Sequence, residues 1–342
     1  MQLSVADLFA SPDHYLFAFE GEQAVFLTMD RAAYARSIFL DARIQPKVPQ
    51  PFGAPLNALA EWRDAKAPPI ARTGWIFHVA QCGSTLLARA LDRGADDLVL
   101  REPLALRQLG ADPARGTARW GSQLRLAATM LGRRYAASAP AIVKANVPVN
   151  FIIPDLMALD PEAPAIFLHF PLEDYILAIL RAPGHRNWVR NVTGELAPAI
   201  ETESGADVTR LDDAERAAAL WLAQMRIYAA ALDSYPNARS LGAEQLFNAP
   251  RPVLAATADL FGVPIPDSDL DAILSGPLFA TYSKNPAVAF DNAARVSRRD
   301  EAKRALRPDL DRARRWVEAH LSEYPLPARL GKPLAGESPD LL

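Results

Sequence analysis

Short apolar runs alternate with segments of helical period through the middle of the chain. "WIFHVA" (75–80), "DLVL" (97–100), "AIVKA" (141–145) and "APAIFLHF" (163–170) each read as a fully buried strand. Between and after them, the patterns predict a helix from Ser84, one over "RWGSQLRLAATMLGRRYAAS" (119–138), another over 148–159, and "LEDYILAILR" (172–181). Buried strands alternating with helices imply a mostly parallel sheet covered on both faces. The last third is mainly helical. "DDAERAAALWLAQMRIYAAALDSY" (212–235) carries large apolar residues at helical spacing, which reads as core packing.

The ends read differently. "HYLFAF" and "AVFLTM" flank the turn "EGEQ" as a hairpin, and Asp30 is placed to cap a helix through "RAAYARSIFLD" (31–41). The proline-rich "QPKVPQPFGAPL" (45–56) reads as a linker or wrapping arm, so residues 1–70 form an appendage and 71–342 the main domain. "RAPGHRNWVRN" (181–191) reads as a Pro-Gly surface loop or a substrate lid. "ATYSKNPAVAFDNAARVSRRDEAKR" (280–304) reads as a loop, either solvated or closing over a ligand, that leads into a helix over 300–321.

The chemistry concentrates where the first strand ends. Ligands of open parallel sheets sit at the carboxyl ends of the strands, and "AQCGST" lies there. Gly83 lets backbone approach an anion, the N–H groups opening the next helix point at it, and Ser84 and Thr85 add hydroxyl donors. A tight turn with a helix cap is the plainer alternative. The loop is not a Walker loop: His78 stands at the first glycine position and Ser84 at the lysine position. Cys82 reads as a small filler residue rather than a nucleophile.

Composition narrows the classes. Of 342 residues, 50% are hydrophobic and 23% charged, as in globular domains, and the length allows a sizeable core. Thirty-seven basic against 40 acidic residues give a net charge of −3, which argues against nucleic acid and anionic membranes as partners. No signal peptide is expected at the N-terminus, no apolar run reaches a membrane span, and one cysteine fits a reducing cytoplasm. The five histidines have no metal-ligand spacing, so no metal site of His and Cys is expected.

"QCGSTLLARAL" resembles the strand–loop–helix of sulfotransferases and their bacterial relatives, [K/R]-[S/C]-G-[S/T]-T-L-L, matching at Cys82 through Leu87. "REP" (101–103) is similar to the Ser-Glu-Pro after their second strand. "IVKANVP" (142–148) is similar to their lysine-ending strand, and "IFLHFPLEDYILAILR" (166–181) takes the place of their Arg-Asp-Pro strand and helix. The resemblance spans about residues 75–181 and implies a three-layer α/β, P-loop-like domain with a hairpin-and-helix appendage and a helical C-terminal part. It implies a transferase moving a sulfuryl group from 3′-phosphoadenosine 5′-phosphosulfate (PAPS) to a hydroxyl or amine on a small-molecule or peptide acceptor.

On that reading Gln81, Cys82, Gly83, Ser84, Thr85 and Leu86 hold the 5′ side of the donor, and Lys144 offsets developing negative charge. Glu102 acts as base, or else forms an ion pair with Arg101 or Arg107. Lys144, at the end of an apolar strand, needs an anionic partner, which is either a ligand or an intramolecular carboxylate. Two positions depart from the family. Gln81 replaces the loop's basic residue, and His169, aligned on Pro171, replaces the arginine that reads the 3′-phosphate, while Leu177 lies near the serine position. His169 is a nucleotide contact or a core histidine. Arg181, Arg186 or the "RVSRR" beginning at Arg295 can supply the missing charge, and His185, Arg186 and Lys284 are candidate substrate contacts. The alternatives are an ATP- or GTP-dependent phosphoryl transferase using Mg²⁺, or a nucleotide-binding protein without turnover.

Overall fold

The structure is a computed structural model that describes residues 3–66, 70–94 and 96–342. Among the described residues the strands run in chain order: β1 (His14–Glu20), β2 (Gln23–Thr28), β3 (Val48–Pro55), β4 (Thr73–His78), β5 (Leu98–Arg101), β6 (Ala141–Lys144), β7 (Ala165–His169), β8 (Ala238–Gly242), β9 (Thr281–Tyr282) and β10 (Asn285–Ala289). Five of them form a parallel sheet in the order β5-β6-β4-β7-β8, connected through helices. The fold is therefore mixed α/β with a helical C-terminal part. The four expected strands are all present, and every residue of β4, β5, β6 and β7 is buried, as continuous apolar runs require in a covered parallel sheet. Among the described residues no helix is long and apolar enough to cross a membrane.

The chain divides into two compact units. The first comprises Met1–Ile76, Ala88–Ala165 and Ala258–Pro264. Its hairpin turns at Gly21, which takes φ +56°. Asp30 caps the next helix by accepting a hydrogen bond from the Ala33 N–H at 2.8 Å, as expected. The helix stops at Arg36 rather than running to 41. Beyond it the backbone is taken by tertiary partners: Leu40 N–H donates to Arg101 O and Leu104 N–H to Leu40 O, which a continuing helix would forbid. The proline-rich stretch is no linker or arm. Its residues 48–55 are β3, an edge strand antiparallel to β2, where prolines are tolerated because outward N–H groups have no ladder to join. The helix expected over 119–138 spans Ala118–Leu131 and ends at Gly132, and 148–159 holds a 3₁₀ turn (Val147–Ile152) followed by the helix Ile153–Met157.

The second unit comprises Phe77–Leu87, Ile166–Thr257 and Ile265–Leu342. Its core is the helix Asp213–Ser234, opened by a capping box between Asp212 and Glu215. Trp221 and Tyr228 on this helix are fully buried. Trp221 Nε1 donates to Phe170 O at 2.9 Å, and Phe167 stacks between Phe77 and Tyr228. Two loops expected from sequence are ordered elements. Residues 181–191 lie mostly in the helix Pro183–Glu195, whose proline occupies the first turn, where its missing N–H costs nothing. Residues 280–304 form the hairpin β9–β10 and the helix Asn292–Ala305, and a separate helix, Arg307–His320, follows because Pro308 cannot continue the first. Strand β8 has no counterpart in the sequence-based expectations.

Candidate functional site

The strand β4 leads into the loop Val79–Gly83, which belongs to the second unit, and then into the helix Ser84–Leu91. Ala80 and Gln81 hold φ of +70° and +53°, and Gly83 holds +85°. Left-handed backbone at non-glycine residues costs about 1–3 kcal/mol each and persists only where the surroundings enforce it. The first N–H groups of a helix have no intrahelical acceptor, and such a run of backbone donors suits an anion. Ser84 and Thr85 are buried, and Thr85 Oγ1 has no hydrogen-bond partner among the described residues. Cys82 is fully buried. A side chain at Gly83 is excluded twice over: φ disfavours it, and an added Cβ would lie 2.9 Å from the Phe247 ring.

Gln81, Gly83 and Leu86 line a cavity of about 420 Å³. Two helices supply the facing walls. From Leu172–Leu180 and its C-cap come Asp174, Leu177, Ala178 and Arg181; from Asn292–Ala305 come Arg295, Arg298, Arg299 and Ala302. Each set is spaced i, i+3, i+4, i+7, one face of a helix. Phe247, Tyr282 and Phe290 form an aromatic wall, with Tyr282 edge-on to Phe290 at 5.5 Å and Phe247 6.1 Å from Phe290. Lys284, between β9 and β10, donates from Nζ to Gln81 Oε1 at 3.4 Å.

The cavity holds five cationic side chains against two carboxylates, Asp174 and Glu244. Arg295 is committed to Glu244 by two parallel hydrogen bonds of 2.7 Å and lies over the Phe247 ring. Arg299 donates to Asp174 at 2.7 Å; burial raises the Asp174 pKa, and the arginine opposes that shift. Arg181 and Arg298 have no carboxylate partner among the described residues, and both are exposed. The cavity thus joins uncommitted guanidinium groups, an aromatic wall and a donor-rich loop, which can receive a flat ring bearing anionic groups.

The structure therefore brings Gln81, Gly83, Leu86, Arg181, Lys284 and Arg295 to one cavity, and leaves others elsewhere. Arg186 is paired with Asp309 at 2.7 Å and with Asp213 at 3.6 Å. His185 sets Nδ1 against Ala178 O at 3.2 Å, and burial lowers its pKa with help from nearby Arg181. His169 is fully buried, with Nδ1 3.4 Å from Phe167 O, and burial lowers its pKa to about 4, so it is a neutral residue away from the cavity lining. Sequence reasoning passed over Asp174, Phe247 and Tyr282 as ligand contacts, whereas Arg298 and Arg299 were offered within "RVSRR" as sources of the missing charge. The helical spacing of these two arginines from Arg295 was hidden while the segment read as a loop.

The first unit carries a separate cluster at the carboxyl ends of β5 and β6, where Arg101 pairs in register with Lys144. Lys144 is fully buried, its Nζ bonds to Glu102 Oε1, and it lies 5.4 Å from the centre of the Phe39 ring. Glu102 takes φ +58°, and the Arg43 guanidinium stands 3.8 Å from its Oε2. The anionic partner of Lys144 is thus an intramolecular carboxylate. Arg101 does not pair with Glu102: it is buried, bonds Asp92, and donates to the carbonyls of Tyr34, Ser37 and Ile38.

No protein-family model matches the chain, and no curated protein matches it in sequence. Among solved structures, it is similar to a sulfotransferase domain from the curacin biosynthetic pathway, at 13% identity and a TM-score of 0.39, over 65% of this chain and 84% of that one. A likeness of that size leaves the functional question to the residues themselves.

Proposed function

We propose that this protein is a sulfotransferase-like transferase that takes its nucleotide donor into the cavity of the second unit and passes a sulfuryl group from a PAPS-type donor to a hydroxyl or amine acceptor. The observation that carries the reading is the shared lining: the loop residues Gln81 and Gly83 face the same space as Arg181, Lys284 and Arg295. A nucleotide needs an aromatic or apolar surface for its base and donors for each anionic group, and the cavity offers both kinds. Arg181 and Arg298 are the proposed receptors for a second phosphate, replacing the basic residue absent at His169. Glu102 and Lys144 keep, in this proposal, the roles that the family resemblance implies, base and charge stabiliser.

Calorimetry on the purified protein tests this with 3′,5′-adenosine bisphosphate, adenosine 5′-phosphosulfate, ATP with Mg²⁺ and GTP with Mg²⁺. Micromolar binding of the bisphosphate, weakened about tenfold in Arg181→Ser, is the expected result, one charge-assisted contact being worth about that much. Preference for a nucleoside triphosphate would replace sulfuryl by phosphoryl transfer, and silence from all four would overturn the reading. Glu102→Asp is expected to keep bisphosphate binding while slowing transfer about 10²-fold, the scale of a 1 Å misplacement.

A further inference from the structure

In the first unit, the carboxyl end of β6 carries a buried polar group with nothing to bond. Asn146 is 8% exposed, and its Oδ1 has no hydrogen-bond partner among the described residues. A buried amide oxygen in that state destabilises the fold until a donor reaches it.

The strand carries Asn146 to the Glu102–Lys144 pair. Its ladder continues one residue past Lys144, where Ala145 N–H donates to Ile76 O at 3.0 Å. Asn146 is still extended, with φ −105° and ψ 170°. Side chains two apart on an extended strand project to one face, so Asn146 follows Lys144 on the same face. At the neighbouring strand end, Glu102 is fastened to Lys144 twice. Its Oε1 accepts from Lys144 Nζ, and its own N–H donates to Lys144 O at 2.8 Å. The sheet edge thus presents two hydrogen-bond acceptors, a carboxylate and an amide oxygen, beside a buried ammonium.

From this geometry we infer that the acceptor substrate is a primary amine, and that Asn146 is the residue that selects it over a hydroxyl. A neutral primary amine has two N–H groups, one for Glu102 and one for Asn146 Oδ1. A hydroxyl has a single proton and leaves one of the two unmet. The charge of Glu102 is already met by Lys144 and by Arg43, 3.8 Å from its Oε2. Those cations oppose an ammonium and favour the neutral amine, whose lone pair can attack. In the transfer, that lone pair forms an N–S bond as the bond from sulfur to the bridging phosphate oxygen breaks. The leaving nucleotide keeps the electron pair of the broken bond. One N–H proton passes to Glu102, and the product sulfamate keeps the other, held by Asn146. This specificity rests on the sulfuryl transfer proposed above.

The test measures kcat/KM with PAPS for two acceptors matched in shape, aniline and phenol, on wild type and Asn146→Leu. Urea unfolding of both proteins and calorimetry with 3′,5′-adenosine bisphosphate run alongside. Wild type is expected to prefer aniline by about tenfold, the scale of one neutral hydrogen bond, and Asn146→Leu to lose that preference. The urea midpoint of Asn146→Leu should equal or exceed that of wild type, because an apolar group of similar volume removes an unmet buried oxygen. A lower midpoint would show that the amide is a structural element, and it overturns the inference. So does a wild type that uses phenol as well as aniline, or one that binds the bisphosphate and sulfates neither; in both cases the donor cavity stands. Absence of bisphosphate binding overturns both proposals.

Discussion

Two groups of charges in this protein meet water in opposite ways. In the first unit, Lys144 has no exposed surface and is bonded to Glu102, while Arg101 is 2% exposed and held by Asp92 and a ring of backbone carbonyls. In the second, Arg181, Lys284 and Arg298 are exposed around a cavity, while Arg295 and Arg299 are tied to carboxylates. A buried charge must be matched inside the fold, so its partner is part of the structure and its loss is felt as stability. A charge facing a water-filled cavity needs no such partner, and its loss is felt when an anion arrives. One kind of residue, in two environments, serves two ends.

The sharpest way to break that contrast is Glu102→Gln, which leaves the buried ammonium without its carboxylate. The expected loss is about 3–5 kcal/mol in urea unfolding, with the double variant Glu102→Gln, Lys144→Met returning most of it. Equal losses in the single and double variants would mean that Glu102 acts through other contacts.

His169 tests the alternative solution to burial, in which a group stays neutral instead of finding a counter-ion. Its folded pKa of about 4 lies below the ordinary 6.5, so as pH falls through 6.5 the unfolded chain takes up a proton that the folded one refuses. This contribution to stability is complete above pH 6.5 and is lost progressively between 6.5 and 4, on the order of 3 kcal/mol in all. Comparing urea midpoints at pH 7 and pH 4.5 should show the drop in wild type and a shallower one in His169→Gln.

Arg298→Ser is expected to give the smallest change in stability, within about 0.5 kcal/mol by thermal unfolding, since the side chain is exposed and, among the described residues, bonds the Ala294 carbonyl. Its affinity for 3′,5′-adenosine bisphosphate should nevertheless fall, with a weaker dependence on salt. A stability loss as large as that of Glu102→Gln would erase the distinction between the two regions.

Much of this was legible in the chain. Apolar runs such as "WIFHVA" admit one reading, because a strand buried on both faces has no polar side to show, and β4 to β7 lie where the pattern put them. The end of the hairpin helix was not legible. Ser37 to Leu40 has no breaker, and the helix stops because Arg101 and Leu104, more than sixty residues away, take the Leu40 backbone. The helices at 183–195 and 292–305 were obscured by glycine, proline and short polar residues that suggest loops in isolation.

By itself, then, the sequence determined the hairpin strands β1 and β2, the buried strands β4 to β7, the small-residue turn at 80–83 and the absence of a cation within it, since these follow from local sterics and residue identity. Only the tertiary structure decided which charges are matched and which are left open. Lys144 received Glu102, His169 became a neutral core residue, and Arg181, Lys284, Arg295 and Arg298 came together from segments more than a hundred residues apart. The reason is physical: whether a charge needs a partner depends on how much water remains around it, and that is fixed only when distant parts of the chain have packed.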